Sequence, residues 1–197
     1  MERSDFVICV DMDDTIENLC EAWVDYLNRR YGTSVKNSDL REWDVSTAFP
    51  TLSRDEIYGA LSENALWDSV KPKKDAQRYL KRLIDDGYSV YICTNTSYHI
   101  AKYKFEAVLF KYFPYIERNH IIITANKDLV ACDFLVDDYE YNLMGKNAKN
   151  KILFDAPHNR NFDESKYGIK RMRSWKKIYE EIVSEYEKRA EIDNIRG

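Results

Sequence analysis

The chain has 197 residues, of which 44% are hydrophobic and 32% charged, with a net charge of -4. That length and composition suit a soluble globular protein with one good core and a small extra module. The acidic balance argues against nucleic acid as a main partner, because a polyanion needs a basic footprint.

The start, Met1-Glu2-Arg3-Ser4-Asp5, is charged, and the first apolar run ends at Val10. This predicts no signal peptide, transit peptide or membrane span. The run Val7-Ile8-Cys9-Val10 reads as a buried strand that stops at Asp11-Met12-Asp13-Asp14-Thr15. On an extended segment Asp11 and Asp13 aim roughly the same way, and two like charges so placed repel unless a cation or a shared proton holds them.

Residues 16–72 are too many for a plain strand-to-helix connection. Leu19, Cys20, Trp23, Tyr26, Leu27 and Tyr31 recur at helical spacing, with Gly32 as a stop. Ser53-Arg54-Asp55-Glu56 reads as a capping box opening a second helix through Ile57, Tyr58 and Leu61. The segment is predicted to be a helical cap over the sheet.

After Pro72, Lys73 to Asp86 presents Ala76, Tyr79, Leu80, Leu83 and Ile84 on one helical face and ends at Gly87. Three apolar runs follow, each nearly continuous, as in strands buried on both faces of a parallel sheet. Ser89 to Cys93 ends in Thr94-Asn95, His120 to Thr124 precedes Asn126-Lys127, and Phe134 to Val136 ends in Asp137-Asp138. A helix is predicted from Ile100 to Phe113, a fifth strand from Asn150 to Asp155, and a last helix capped by Ser174, with its tail frayed after Ala190. No repeat or linker interrupts this order. Cys9, Cys20, Cys93 and Cys132 lack paired spacing and read as free buried thiols of a reducing cytosol. The three histidines also lack ligand spacing, and His120 reads as the opening of a strand.

In open α/β sheets the ligand lies beyond the carboxyl ends of the strands, so Asp11, Asp13, Thr94, Lys127 and Asp138 should converge. This ordered set resembles the haloacid dehalogenase-like (HAD) phosphohydrolases, and within them the 5'(3')-deoxyribonucleotidase family. Ile92-Cys93-Thr94, Asp128, the run Phe134 to Asp138, Ile152-Leu153-Phe154, His158-Asn159-Arg160 and Arg173-Ser174-Trp175 carry the narrower resemblance.

The resemblance implies a Rossmann-like α/β fold: a HAD-type core of residues 1–15 and 73–197, with a helical cap of residues 16–72. It implies a Mg2+-dependent phosphatase acting on deoxyribonucleoside or ribonucleoside monophosphates through an aspartyl-phosphate. Asp11 would be the nucleophile and Asp13 the general acid and base. Thr94, Asn95 and Lys127 would bind phosphate. Asp11, Asp138 and the Asp13 carbonyl would hold Mg2+, with Asp137 supporting them from behind. Trp67, Trp43 and Leu19 would line the substrate pocket. The expected partner is a small nucleotide in the cytoplasm, with no nucleic acid and no membrane; a homodimer stays open.

Some positions depart from the family pattern. Asp14 replaces a common glycine, Asn95-Thr96 replaces Ser-Pro, Leu66 replaces the first aromatic of a pair, and Leu19 stands for a phenylalanine. A sugar phosphate is the alternative substrate, and a nucleotide-sensing module without turnover the alternative class. A sensor would need neither nucleophile nor acid, which weighs against the second.

Overall fold

The computed structural model describes residues 2–196. Six parallel strands form one sheet in the order β3-β2-β1-β4-β5-β6. They are β1 (Val7–Val10), β2 (Ser89–Thr94), β3 (Ile121–Ile123), β4 (Cys132–Asp137), β5 (Ala148–Phe154) and β6 (Lys170–Met172). The chain builds outward from β1 on one side, then returns to its other side at β4. Such a reversal opens a crevice beyond the carboxyl ends of β1 and β4.

Alternation explains why the central strands are apolar throughout. Ile8, Val10, Val90, Ile92, Phe134 and Val136 join one core. Helices α1 (Leu19–Tyr31), α4 (Ala76–Asp85) and α7 (Trp175–Arg196) supply Leu27, Leu80, Leu83, Ile178 and Ile182 to the same core. Cys9, Cys93, Leu135 and Leu153 face the other way and pack with Leu143 and Ile169. All four thiols are free and buried.

The insert between β1 and α4 holds α1, α2 (Arg54–Gly59) and α3 (Asn64–Trp67), with short 3-10 turns between them. The capping box forms: the Ser53 amide donates to Glu56 Oε2 at 2.8 Å and the Glu56 amide to Ser53 Oγ at 3.2 Å. Gly32 ends α1 in the left-handed region at φ +68°. The outgoing and returning chains pair where they cross. Asn18 N–H donates to the Lys71 carbonyl at 3.0 Å and Lys73 N–H to the Ile16 carbonyl at 2.8 Å.

Several expectations need correction. β3 lies at the sheet edge with Ile123 53% exposed, so it is not buried on both faces. His120 closes a 3-10 turn before β3 and stacks on Tyr91, with ring centroids 4.5 Å apart. Helix α4 starts at Ala76 because Asp75 takes φ +64°. The helix predicted from Ile100 is three pieces: α5 (Tyr98–Lys104), a π turn (Phe105–Leu109) and α6 (Phe110–Tyr112). β5 begins two residues before Asn150, at Ala148. The edge strand β6 was not anticipated, and α7 continues past Ala190. Among the described residues no helix is long and apolar enough to cross a membrane.

Candidate active site

Backbone pairing fixes the first carboxylates. The Asp11 amide donates to the Val136 carbonyl at 2.8 Å, so the ladder runs one residue past β1 and holds Asp11 beside the end of β4. Asp137 is the last residue of β4, with Asp138 next. Thr94 ends β2, and Lys127 opens a 3-10 turn after β3.

The side chains then meet. The buried Lys127 Nζ contacts Asp11 Oδ1 and lies 2.6 Å from Asp137 Oδ2. Burial alone would lower the Lys127 pKa, but Asp11 and Asp137 outweigh it and raise it. Asp137 also accepts from the Tyr139 amide at 2.9 Å and from Asn142 Nδ2 at 3.1 and 3.2 Å, so both its oxygens are engaged. Asp138 accepts from Thr15 Oγ1 at 3.4 Å, and its other oxygen lies 2.8 Å from His158 Nε2. That His158 contact is an ion pair in distance, although neither ring nitrogen makes a well-angled hydrogen bond.

One oxygen each of Asp11, Asp137 and Asp138 lie within 4.8 Å of one another, and all three residues are buried. Burial pushes each of the three carboxyls up to about 6, against the pull of Lys127 on Asp11 and Asp137 and of His158 on Asp138. Three buried carboxylate oxygens this close together fit a hard divalent cation.

Asp13 is held by a residue the sequence reading missed. Lys104, buried at the end of α5, donates to Asp13 Oδ2 at 2.6 Å, Thr94 Oγ1 at 2.7 Å and the Asn95 carbonyl at 3.2 Å. Its signal was readable. Ile100, Lys104 and Val108 are four apart on the face the helix buries, so a lysine occupies a core position. Glu17 is a second omission. It is fully buried, neither oxygen has a hydrogen-bond partner, and burial followed by Asp13 and Asp14 pushes its pKa well above the carboxylate range. No local pattern marks Glu17; its burial comes from the pairing of residue 17 with Pro72.

Above these groups a cavity of about 240 Å³ opens between the sheet end and the insert. Asp11, Asp13, Asn95, Lys104, Lys127 and Asp138 form its floor. Leu19, Trp23, Trp43, Tyr58, Leu61 and Trp67 contribute to its wall. All ten residues expected in the site border this cavity except Thr94, which touches it through Lys104. Trp67 is 1% exposed and spends its indole N–H on the Leu61 carbonyl at 2.7 Å. Trp43 is 52% exposed and leans on Tyr139, with ring centroids 4.9 Å apart.

Residues 5–188 match the family described as 5' nucleotidase, deoxy (pyrimidine), cytosolic type C protein. The chain belongs to this family. The 5'(3')-deoxyribonucleotidase of Bacillus subtilis is 31% identical over 178 residues, covering 90% of this chain and 98% of that protein. The same-named protein of Clostridium acetobutylicum is 33% identical over 167 residues, covering 84% and 88%. As a member of the 5'-nucleotidase family the chain is a phosphoric monoester hydrolase within the haloacid dehalogenase-like superfamily. Solved structures agree on the fold. A HAD hydrolase of Entamoeba histolytica aligns with a TM-score of 0.60 at 13% identity, covering 91% of this chain and 98% of that one. A Deinococcus radiodurans HAD family hydrolase, solved with phosphate and sodium, gives 0.59 at 13% identity, covering 89% and 94%. A Bacillus subtilis HAD hydrolase bound to magnesium gives 0.55 at 13% identity, covering 90% and 98%.

Proposed function

We propose that this enzyme is a Mg2+-dependent nucleotidase that hydrolyses deoxyribonucleoside or ribonucleoside monophosphates through an aspartyl-phosphate on Asp11. The observation that carries the reading is the pair of buried lysines, each shared between a carboxylate and a second site group: Lys127 on Asp11 and Asp137, Lys104 on Asp13 and Thr94. A phosphate monoester resists attack because an anion must approach an anion, so the site has to cancel charge and align the nucleophile.

Asp11 and Asp138, with the Asp13 carbonyl, would hold Mg2+. Asp137 has both oxygens engaged by Lys127, Tyr139 and Asn142, which suits a supporting role. When bound, the ion supplies positive charge against the phosphoryl oxygens. Lys127 keeps Asp11 ionised and aimed. Asp11 attacks phosphorus while the bond to the ester oxygen breaks, and Asp13 gives that oxygen its proton. Asp13 then takes a proton from the water that hydrolyses the acyl phosphate. Asp11 cannot serve in both roles because it is esterified between them. Thr94, Asn95 and the lysines bind the phosphoryl oxygens. Leu19, Trp43 and Trp67 present apolar faces to the nucleoside, which favours a base over the hydroxyl-rich ring of a sugar phosphate. The domain division in this reading is a core of residues 1–15 and 73–197 and a cap of residues 16–72. The free buried thiols are those of a cytoplasmic enzyme.

A panel of phosphate-release assays over nucleoside monophosphates and sugar phosphates, with and without Mg2+, tests the reading. Nucleotides should be preferred and chelation should abolish turnover. Higher specificity constants for sugar phosphates would replace the substrate class while keeping the chemistry.

A further inference from the structure

Directly after Asp13 the backbone does something costly. Asp14 sits at φ +50°, in the left-handed region where glycine is the usual occupant. Among the described residues only Asp75 shares this among non-glycines. A side chain is kept in such a conformation only when its surroundings over-determine it, and at Asp14 they do.

The carboxylate is 5% exposed and both oxygens are used. Oδ2 accepts the Cys20 amide at 2.9 Å. Cys20 is the second residue of α1, so its N–H has no acceptor within the helix. Asn18 stands at the cap position but makes no side-chain cap bond. Asp14 therefore caps α1 from four residues before Asn18, and its negative charge suits the positive end of the helix dipole. Oδ1 lies 3.5 Å from Lys73 Nζ. Lys73 is the residue at which the returning chain pairs with Ile16, and its ammonium also sits over the Phe154 ring, 5.6 Å from the centroid. One carboxylate thus grips the outgoing chain at Cys20 and the returning chain at Lys73. Between these grips lies nearly all of the insert, and α1 carries Leu19, Cys20 and Trp23 on the cavity wall.

We propose that Asp14 is a positioning residue that pins the insert to the catalytic strand end and so sets the nucleoside pocket. The pin holds α1 at a fixed angle to Asp11 and Asp13. It acts on the part of the substrate beyond the phosphate. The proposal rests on the nucleotidase reading for its kinetic consequence, but the pin itself has a consequence that needs no turnover.

Asp14→Gly is the deciding variant. Glycine takes φ +50° without strain, so if Asp14 only fills a turn the variant should match wild type or exceed it in stability. If Asp14 is the pin, two results are expected. Hydrogen exchange should accelerate in residues 19–23 and stay unchanged in residues 80–83 of α4. The KM for a nucleoside monophosphate should rise on the order of tenfold, the loss of one helix-capping bond expressed as affinity, with the loss on p-nitrophenyl phosphate at least about fivefold smaller. Asp14→Asn keeps an acceptor for Cys20 and tolerates the left-handed region but gives up the charge facing Lys73, so it should restore slow exchange and bring KM back to within about threefold of wild type. Should the glycine variant not fold, Lys73→Met removes one grip with the turn intact and should raise the nucleotide KM about threefold, the size expected for one partly buried ion pair.

Unchanged exchange and unchanged KM in Asp14→Gly would overturn the pin. Equal losses on both substrates would overturn its role in the pocket and place Asp14 with the chemistry. An asparagine variant as impaired as glycine would overturn the Cys20 bond as its basis. A wild-type enzyme inactive on nucleotides would refute the nucleotidase reading, and the exchange measurement would still decide the pin.

Discussion

At the sheet's carboxyl end, two buried lysines are shared among carboxylates, a hydroxyl and a carbonyl, and each charge is held by a residue at or just past a strand end. Across the cavity the insert does the reverse. Its polar handles are taken up within the insert: Trp23 and Trp67 donate to the carbonyls of Ile57 and Leu61, and the Tyr58 hydroxyl donates to Asp44 at 2.6 Å. One region is charge held in place by backbone register. The other is apolar surface whose hydrogen bonds are spent on itself. On the proposed function the floor does the chemistry and the wall selects the substrate, so the two should respond differently to substitution.

Within the wall, Trp67 and Trp43 should separate. Trp67 is buried in the core and bordering the cavity, so Trp67→Ala should cost about 3–5 kcal/mol of stability. Trp43 is half exposed, so Trp43→Ala should leave the melting temperature nearly unchanged and lower kcat/KM for nucleotides about fivefold to a hundredfold, the equivalent of about 1–3 kcal/mol. Turnover of a small aryl phosphate should be spared in Trp43→Ala. If that variant hurts both substrates alike, the wall does not select the nucleoside.

On the floor, Lys104→Gln tests whether the missed lysine belongs to the chemistry. It removes a charge-assisted contact to Asp13, which is about 1.5–3 kcal/mol, or on the order of tenfold to a hundredfold in kcat. The loss should be larger for a nucleoside monophosphate, whose leaving oxygen needs a proton, than for an activated aryl phosphate. Lys102→Gln, exposed on the same helix, is the control and should stay near wild type. Comparable effects of the two substitutions would remove Lys104 from the site.

The smallest expected effect concerns the carboxylate cluster. Asp11, Asp137 and Asp138 titrate near 6 in the folded chain, above the ordinary carboxyl value of 3.8. The folded state therefore binds protons more tightly than the unfolded one. Stability from this cluster is present below the unfolded value and is lost as pH rises through about 6. A cation needs the deprotonated ligands, so Mg2+ should raise the melting temperature more at about pH 8 than at about pH 5. The gain is about 1.4 kcal/mol at ten times the dissociation constant. Asp138→Asn should erase most of it. A shift independent of pH would place the ion elsewhere.

Much of the floor could be read from sequence because strand exits are marked twice, by β-branched runs and by the carboxylates that end them. Asp11, Thr94, Lys127 and Asp138 stand where those exits put them. Lys104 was harder, since Lys102 and Lys111 surround it and only its alignment with Ile100 and Val108 sets it apart. The π turn after it has no local signature in Phe105–Leu109. β6 escaped because Lys170, Arg171 and Met172 show no alternation, and an edge strand of three residues needs none. Trp67 and Trp43 were both placed at the pocket, but their different burial depends on how the insert folds back, which spacing along the chain does not encode.

The most direct test of the central claim is to quench the enzyme with acid during turnover of a nucleoside monophosphate and map phosphorylated peptides by mass spectrometry. A phosphoryl group is expected on Asp11 in the wild type. In Asp11→Asn, which keeps the side chain's size and removes its nucleophilic charge, both the adduct and turnover should be lost. Phosphorylation of another residue, or near wild-type turnover by a folded Asp11→Asn variant, would contradict it.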